Sequence, residues 1–243
     1  KKQGKMPYTK RFDGRKFDET RKIEAKVGVI EKADGSAYFA FGDTKAIAAV
    51  YGPRTLFPQH LQDPTKGRIR CSYDMMSFSV SERKRPGPGR RGQEISHVTE
   101  KALQPAVRLE NFPNCVVEVY IMILQANAGT RTAGINAASL ALAHAGLPMV
   151  DLVSSVSVGK IGGKLCVDLI KEEEDFEEKN GEKSATDIPV AILPRLGKVS
   201  LLQLDGKVSR KELAEALEMA NESCKKIYEE QKRVLKETFK EWK

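Results

Sequence analysis

The stretch "AGTRTAGINAASLALAHAG", Ala128 to Gly146, decides how this chain is read. A single cation, Arg131, preceded by Gly129-Thr130 and followed by Thr132, stands at the head of a segment made almost wholly of small and aliphatic residues. The pattern predicts a helix from about Thr132 to Ala145, ended by Gly146 and Pro148. Its small residues, among them Ala133, Gly134, Ala137 and Ala141, let such a helix lie close against a sheet with its N-terminus facing a cleft. The first turn of a helix has unpaired N–H groups and a partial positive charge, which together favour an anion. Gly129 allows close backbone approach, Thr130 offers a hydroxyl, and Arg131 adds a planar fork suited to phosphate oxygens. The plainer alternative is a threonine cap followed by an exposed arginine, and this stretch alone does not separate the two.

Upstream, "RKIEAKVGVIEK" (Arg21 to Lys32) alternates polar and apolar residues as a half-buried strand does, and "ADGS" supplies a turn. "AYFAFGDTKAIAAVYGP" predicts two more strands broken at Gly42-Asp43, and "GRIRCSYDMMSFSV" a fourth. Four strands in a row predict an antiparallel meander. A helix follows, with Ile95, Val98, Ala102, Leu103, Ala106 and Val107 at helical spacing and Pro105 as a kink or a stop. "NCVVEVYIMIL" (Asn114 to Leu124) reads as a buried strand leading into the opening stretch.

Downstream come a hairpin through Gly162-Gly163, the strands "DIPVAILP" and "KVSLLQLDG", and a long helix from Arg210 to about Trp242. That helix carries an apolar stripe of Leu213, Leu217, Cys224, Ile227, Val234 and Phe239. The order ββββ-α-β-α-ββββ-α gives an α+β class. Each half holds a sheet and then a helix, with no repeat at the level of residues. Residues 1–10 read as a flexible basic arm and 11–243 as a single domain.

The 243 residues are 40% hydrophobic and 30% charged, with a formal charge of +8. No apolar run approaches the roughly 20 residues of a membrane helix, and no secretory signal is expected at the basic start. Cys71, Cys115, Cys166 and Cys224 are far apart, which argues against a zinc site and for buried free thiols in a reducing, cytoplasmic setting. The charge is unevenly placed. "SERKRPGPGRRGQE" (Ser81 to Glu94) concentrates Arg83, Lys84, Arg85, Arg90 and Arg91, whereas "KEEEDFEEKNGEKSATD" (Lys171 to Asp187) is strongly acidic. A basic loop without interleaved aromatics suits contact with a nucleic-acid backbone better than base stacking.

Arg90 and Arg91 precede a helix, as the Gly129–Arg131 stretch does. The two N-termini are therefore candidates to converge on one phosphate or on a nucleic-acid backbone. Asp187, where the acidic loop enters an apolar strand, can protonate a leaving oxygen or hold Mg²⁺. Its ordinary alternative is an aspartate that caps a turn before Pro189.

Five segments in order carry a family resemblance: "RFDGRKFDETRKI", "ADGSAYFAFGDTKAIAAVYGP", "SERKRPGPGRRGQEIS", "LQANAGTRTAGINAASLALAHAG" and "ATDIPVA". Over nearly its whole length the chain resembles the RNase PH-like phosphorolytic exoribonucleases, most nearly the catalytic ring subunits of archaeal exosomes. The resemblance implies an RNase PH-type fold (ribosomal protein S5 domain 2-like) with a duplicated sheet-and-helix unit. It implies a hexameric ring shared with catalytically inactive paralogues, with RNA-binding cap subunits on one face. The implied reaction is stepwise 3′-to-5′ attack by inorganic phosphate on RNA, releasing nucleoside diphosphates and adding 3′ tails in reverse. Carried over by motif, Gly129, Thr130 and Arg131 with Arg91 hold the phosphate. Arg90, Arg91, Arg83, Arg85 and His60 hold RNA, and Asp187 is the acid or the Mg²⁺ ligand.

Two departures stand out. Gln59 in "FPQHLQD" replaces an arginine that relatives often carry at the ring entrance. The loop before Asp187 is longer than usual, with Ser184 and Ala185 where a second acid is often found, leaving Glu182 or Asp175 as the candidate partner. The alternatives are a non-catalytic ring scaffold and a stand-alone tRNA-trimming RNase PH. Retention of Arg91, Arg131 and Asp187 favours the enzyme, and "LLQLDGKVSRKELAEALEMA" favours the exosome type.

Overall fold

Strands β1 (Ile23–Val27), β2 (Gly35–Phe41) and β3 (Thr44–Thr55) pair antiparallel in succession, as the alternation of the first and the turns between them predict. The computed structural model describes residues 10–87, 89–176 and 185–240. The basic arm short of Lys10, the candidate Glu182, and Ser184 lie outside the described residues.

The fourth strand departs from the expected meander. β4 (Arg68–Met75) does not join β3; β5 (Cys115–Gln125) lies between them, antiparallel to β3 and parallel to β4. The cause is the connection. The chain between β4 and β5 runs through helix α1 (Arg90–Leu103), and such a crossover is what parallel pairing requires. Composition agrees, since β5 buries Val117, Val119, Ile121 and Ile123 as a central strand. β4 exposes Arg68, Arg70 and Ser72 at the edge of the sheet. After α1 a single 3-10 turn over Gln104–Ala106 carries Pro105, which acts as a stop.

Helix α2 (Thr130–His144) starts two residues before the expected point, and nearly all of it is buried. It packs on β2 and β3 and reaches across to β6. Gly35 permits this approach: a Cβ there would lie 2.3 Å from the Ala141 carbonyl oxygen. The second sheet holds β6 (Ser154–Ile161), β7 (Lys164–Val167), β8 (Thr186–Leu193) and β9 (Lys198–Leu202), in the order β7-β6-β8-β9 and antiparallel throughout. A short helix α3 (Lys171–Glu174) follows β7. One hydrophobic cluster joins both sheets through α2, including Phe39, Ile121, Ile135, Leu140, Val156 and Val190. Each such side chain contributes about 1.5–3 kcal/mol when buried.

Helix α4 (Arg210–Lys240) lies against β6 and buries Cys224, Ile227 and Val234 of its predicted stripe. Phe239 departs from that stripe; it is exposed and stands beside the His144 ring. In its place Gln231 is fully buried, donating to the Val153 carbonyl and accepting from the Ser154 hydroxyl. Cys71, Cys166 and Cys224 are buried free thiols, as expected, and Cys115 is half-buried. No described helix is long and apolar enough to cross a membrane.

Candidate active site

Arg90 and Arg91 are the first two residues of α1, Arg131 is the second of α2, and Asp187 is the second of β8. All four line one cavity of about 690 Å³, together with Glu94, Pro189, Gln203, Leu204 and Asp205. The cations come from the unit of the first sheet and the carboxylates Asp187 and Asp205 from the second. Antiparallel pairing across the second sheet sets Asp187 opposite Gly159, and a reciprocal backbone bridge of 3.0 and 2.9 Å sets it beside Asp205.

Asp187 is half-buried and accepts a hydrogen bond from the Ser157 hydroxyl. Burial pushes its ionisation above the ordinary carboxylate range, and the charge of Asp205 adds to this. The Ser157 hydroxyl, Arg131 and Arg91 pull the other way. The result is a carboxyl held closer to neutrality than usual, which suits proton transfer. Glu174, at the end of α3, is raised in the same direction, first by burial and then by Asp187, while Lys171 and Arg91 oppose it. The acidic side of the cavity thus feels the arginines opposite it.

The guanidiniums are left open. Among the described residues no carboxylate lies within the 4 Å of an ion pair from Arg90, Arg91 or Arg131. Arg131 Nη1 donates to Gln203 Oε1, and Gln203 Nε2 donates to Glu94 Oε1 at 3.5 Å. An amide therefore steadies Arg131 without neutralising it.

Gly129 caps α2 in the left-handed conformation (φ 62°), and Ala128 before it is left-handed too (φ 58°). For alanine this conformation costs about 1–2 kcal/mol, so the turn is held by its surroundings. Thr130 is buried beside Tyr73. Burial pushes the Tyr73 hydroxyl up, against the pull of Thr130, Arg91 and Arg131. Gly129 and Thr130 lie behind Arg131 and outside the lining of the cavity.

Other predicted residues are placed differently. Arg83 and Arg85 are exposed on the loop before α1 and do not line the cavity, and Lys84 turns back to Asp74. Gln59 and His60 lie in an exposed 3-10 turn between β3 and β4, also outside the cavity. Asp175 is exposed, pairs with Lys171 at 3.0 Å, and does not line the cavity. Sequence reasoning missed Asp205, Gln203, Glu94 and Glu174. Only the short segment "QLD", directly after a strand, hinted at polar groups near β8.

Residues 19–148 match the first domain of the 3′ exoribonuclease family, and residues 151–223 match its second. The chain belongs to that family. The boundary falls between α2 and β6, so each sheet lies within one matched segment. Among individual proteins, the chain is 50% identical over 230 residues to "Exosome complex component Rrp41" of Pyrococcus furiosus, covering 95% of this chain and 89% of that one. A solved structure, "archaeoglobus fulgidus exosome with RNA bound to the active site", superposes with a TM-score of 0.76 at 26% identity, over 91% of this chain and 92% of that one. The fold is also that of rice (Oryza sativa) Rrp46, with a TM-score of 0.79 at 23% identity, over 93% and 100% of the two chains. The expected RNase PH-type fold is therefore present.

Proposed function

We propose that this chain degrades RNA from its 3′ end by phosphorolysis, as the catalytic subunit of an exosome ring. The observation that carries the reading is the meeting of Arg91, Arg131 and Asp187 in one cavity, although they are remote in sequence. Arg90 and Arg91 bind backbone phosphates near the 3′ end, with no demand on sequence. Inorganic phosphate sits in the cavity beside the N-terminal turn of α2, held by Arg131 and Arg91, while Gly129 and Thr130 shape the turn that carries Arg131.

An oxygen of that phosphate attacks the phosphorus of the last phosphodiester. The bond to the 3′ oxygen of the preceding nucleotide breaks, and Asp187 returns a proton to that oxygen. A nucleoside diphosphate leaves, and the RNA is one nucleotide shorter with a free 3′ hydroxyl. Phosphate, not water, is the nucleophile, so the step is not a hydrolysis. The same geometry run backwards adds nucleotides from diphosphates.

Asp187 and Asp205 face one cavity, and two carboxylates are an oxygen set that Mg²⁺ accepts when substrate phosphates complete it. Bound there, Mg²⁺ would offset charge at the reacting phosphate.

Exposed Phe57, Phe78, Val199, Leu202 and Leu204 support burial against partner chains, for which we propose an inactive paralogue in a hexameric ring and RNA-binding caps. The buried thiols suit a cytoplasmic location. The test is RNA degradation by the assembled ring with and without inorganic phosphate. Diphosphate products that require phosphate are expected; monophosphate products, or none from the complete ring, contradict the reading.

A further inference from the structure

Behind the cavity lies a second set of charges that the reaction does not use. Asp168, 1% exposed, accepts three hydrogen bonds from Arg21: from the backbone N–H at 2.8 Å, Nε at 2.9 Å and Nη2 at 2.6 Å. The rest of the Arg21 fork points at the turn before α2. Its Nη1 donates to the Asn127 carbonyl at 2.5 Å and to the Thr44 hydroxyl oxygen at 3.1 Å. That hydroxyl in turn donates to the Ala128 carbonyl at 2.7 Å and accepts from the Asn127 N–H at 3.1 Å. A Cβ at Gly129 would lie 3.4 Å from Arg21 Nη2 and 3.8 Å from Asp168 Oδ1, so the cap of α2 rests directly on the ion pair.

We infer that the Arg21–Asp168 ion pair, acting with Thr44, is a positioning device for the phosphate site. It holds Asn127–Gly129 in the turn, left-handed at Ala128 and Gly129, that sets Arg131 at the cavity. The inference rests on the phosphorolytic reading above and adds residues that touch neither phosphate nor RNA. Two features separate it from general support of the fold. The polar backbone groups captured are those of the turn itself. In the neighbouring buried pair, Arg11 bonds Glu173 and donates also to the Lys16, Glu19, Val167 and Asp168 carbonyls, none of them in the turn.

The device also ties the two halves of the site together. Asp168 ends the β6–β7 hairpin and opens the segment that leads through α3 to Glu174. The Lys171 N–H donates to Asn127 Oδ1 at 2.9 Å. The phosphate-side turn is therefore gripped by the first sheet through Thr44 and by the acidic side through Asp168 and Lys171.

The experiment uses the assembled ring and varies inorganic phosphate at saturating RNA. Thr44→Val keeps the shape of the side chain and removes its hydroxyl, so the turn loses its anchor and Arg21 a partner. The KM for phosphate is expected to rise about tenfold while kcat stays within about threefold. RNA affinity measured without phosphate stays within about twofold. Thr44→Ser, which restores the hydroxyl, returns the phosphate KM to the wild-type value. Ser139→Ala removes a buried hydrogen bond to the Val153 N–H on the same helix, away from the turn. It lowers the melting temperature and leaves the phosphate KM unchanged. A Thr44→Val ring with the wild-type phosphate KM overturns the inference, as does an equal rise in Ser139→Ala. A wild-type ring that degrades RNA without phosphate overturns the phosphorolytic reading itself, and this inference with it.

Discussion

At the buried cluster behind α2, Arg11 meets Glu173 at 2.8 Å and Arg21 meets Asp168 at 2.6 Å, with all four side chains almost wholly out of solvent. In the cleft in front of it, Arg90, Arg91 and Arg131 line a cavity with Glu94, Asp187 and Asp205, and none of these arginines closes an ion pair with a described carboxylate. The residue types are the same and the arrangements opposite. In the first cluster every guanidinium is matched by a carboxylate and by backbone carbonyls, so nothing remains to bind a ligand. In the second the cations are exposed or half-exposed, an amide steadies Arg131, and the carboxyl that matters is pushed toward its neutral form. Charge pairing completed within the chain makes structure; charge left incomplete makes a site.

Asp187→Ala gives the largest separation between the two regions. Turnover falls by about 10²- to 10⁴-fold, the usual share of a positioned acid, while RNA binding persists; single-turnover rates and a binding titration check both. Glu173→Ala does the reverse. Leaving Arg11 buried without its partner costs about 3–5 kcal/mol of stability, read from denaturant unfolding.

Arg131→Ala weakens phosphate. Removing a charge-assisted hydrogen bond worth about 1.5–3 kcal/mol raises the phosphate KM roughly ten- to hundredfold with little change in melting temperature. Arg83→Ala, on the exposed loop outside the cavity, has the smallest effect expected. It makes the slope of log RNA affinity against log salt shallower by about 0.7, the share of one phosphate on a single strand, and leaves the phosphate KM alone. RNA titrations at several ionic strengths decide this.

The pH dependence sharpens the contrast further. Because burial raises Asp187, the folded chain holds its proton more tightly than the unfolded chain does. That contribution to stability is complete below the unfolded carboxylate value and is lost as pH rises through the folded one. Asp187→Asn therefore melts above the wild type at neutral pH, with the gap closing on acidification. A gap that widens on acidification reverses the sign and removes the assignment.

Much of this was legible from the chain alone, because the signals were local. The alternation in β1, the turns that separate β1, β2 and β3, the small residues of α2 and the arginines heading two helices each follow from a few neighbouring residues. The β4–β5 pairing was not legible, since a strand carries no local mark of which strand a crossover will return it to. Asp205 and Gln203 were invisible for a similar reason. They reach the cavity only because β9 pairs with β8 and the chain beyond it bridges back to Asp187. Arg21 and Asp168 stand 147 residues apart, and only the assembled core brings them to one turn.

A crystal structure of the assembled ring, grown with inorganic phosphate and a short RNA, is the most direct test of the shared cavity. Phosphate bound within hydrogen-bonding distance of both the Arg91 and Arg131 guanidiniums, with Asp187 facing the terminal 3′ oxygen, is the predicted result. Phosphate held elsewhere, with Arg131 still turned to Gln203 and Asp187 remote from the RNA end, would contradict it.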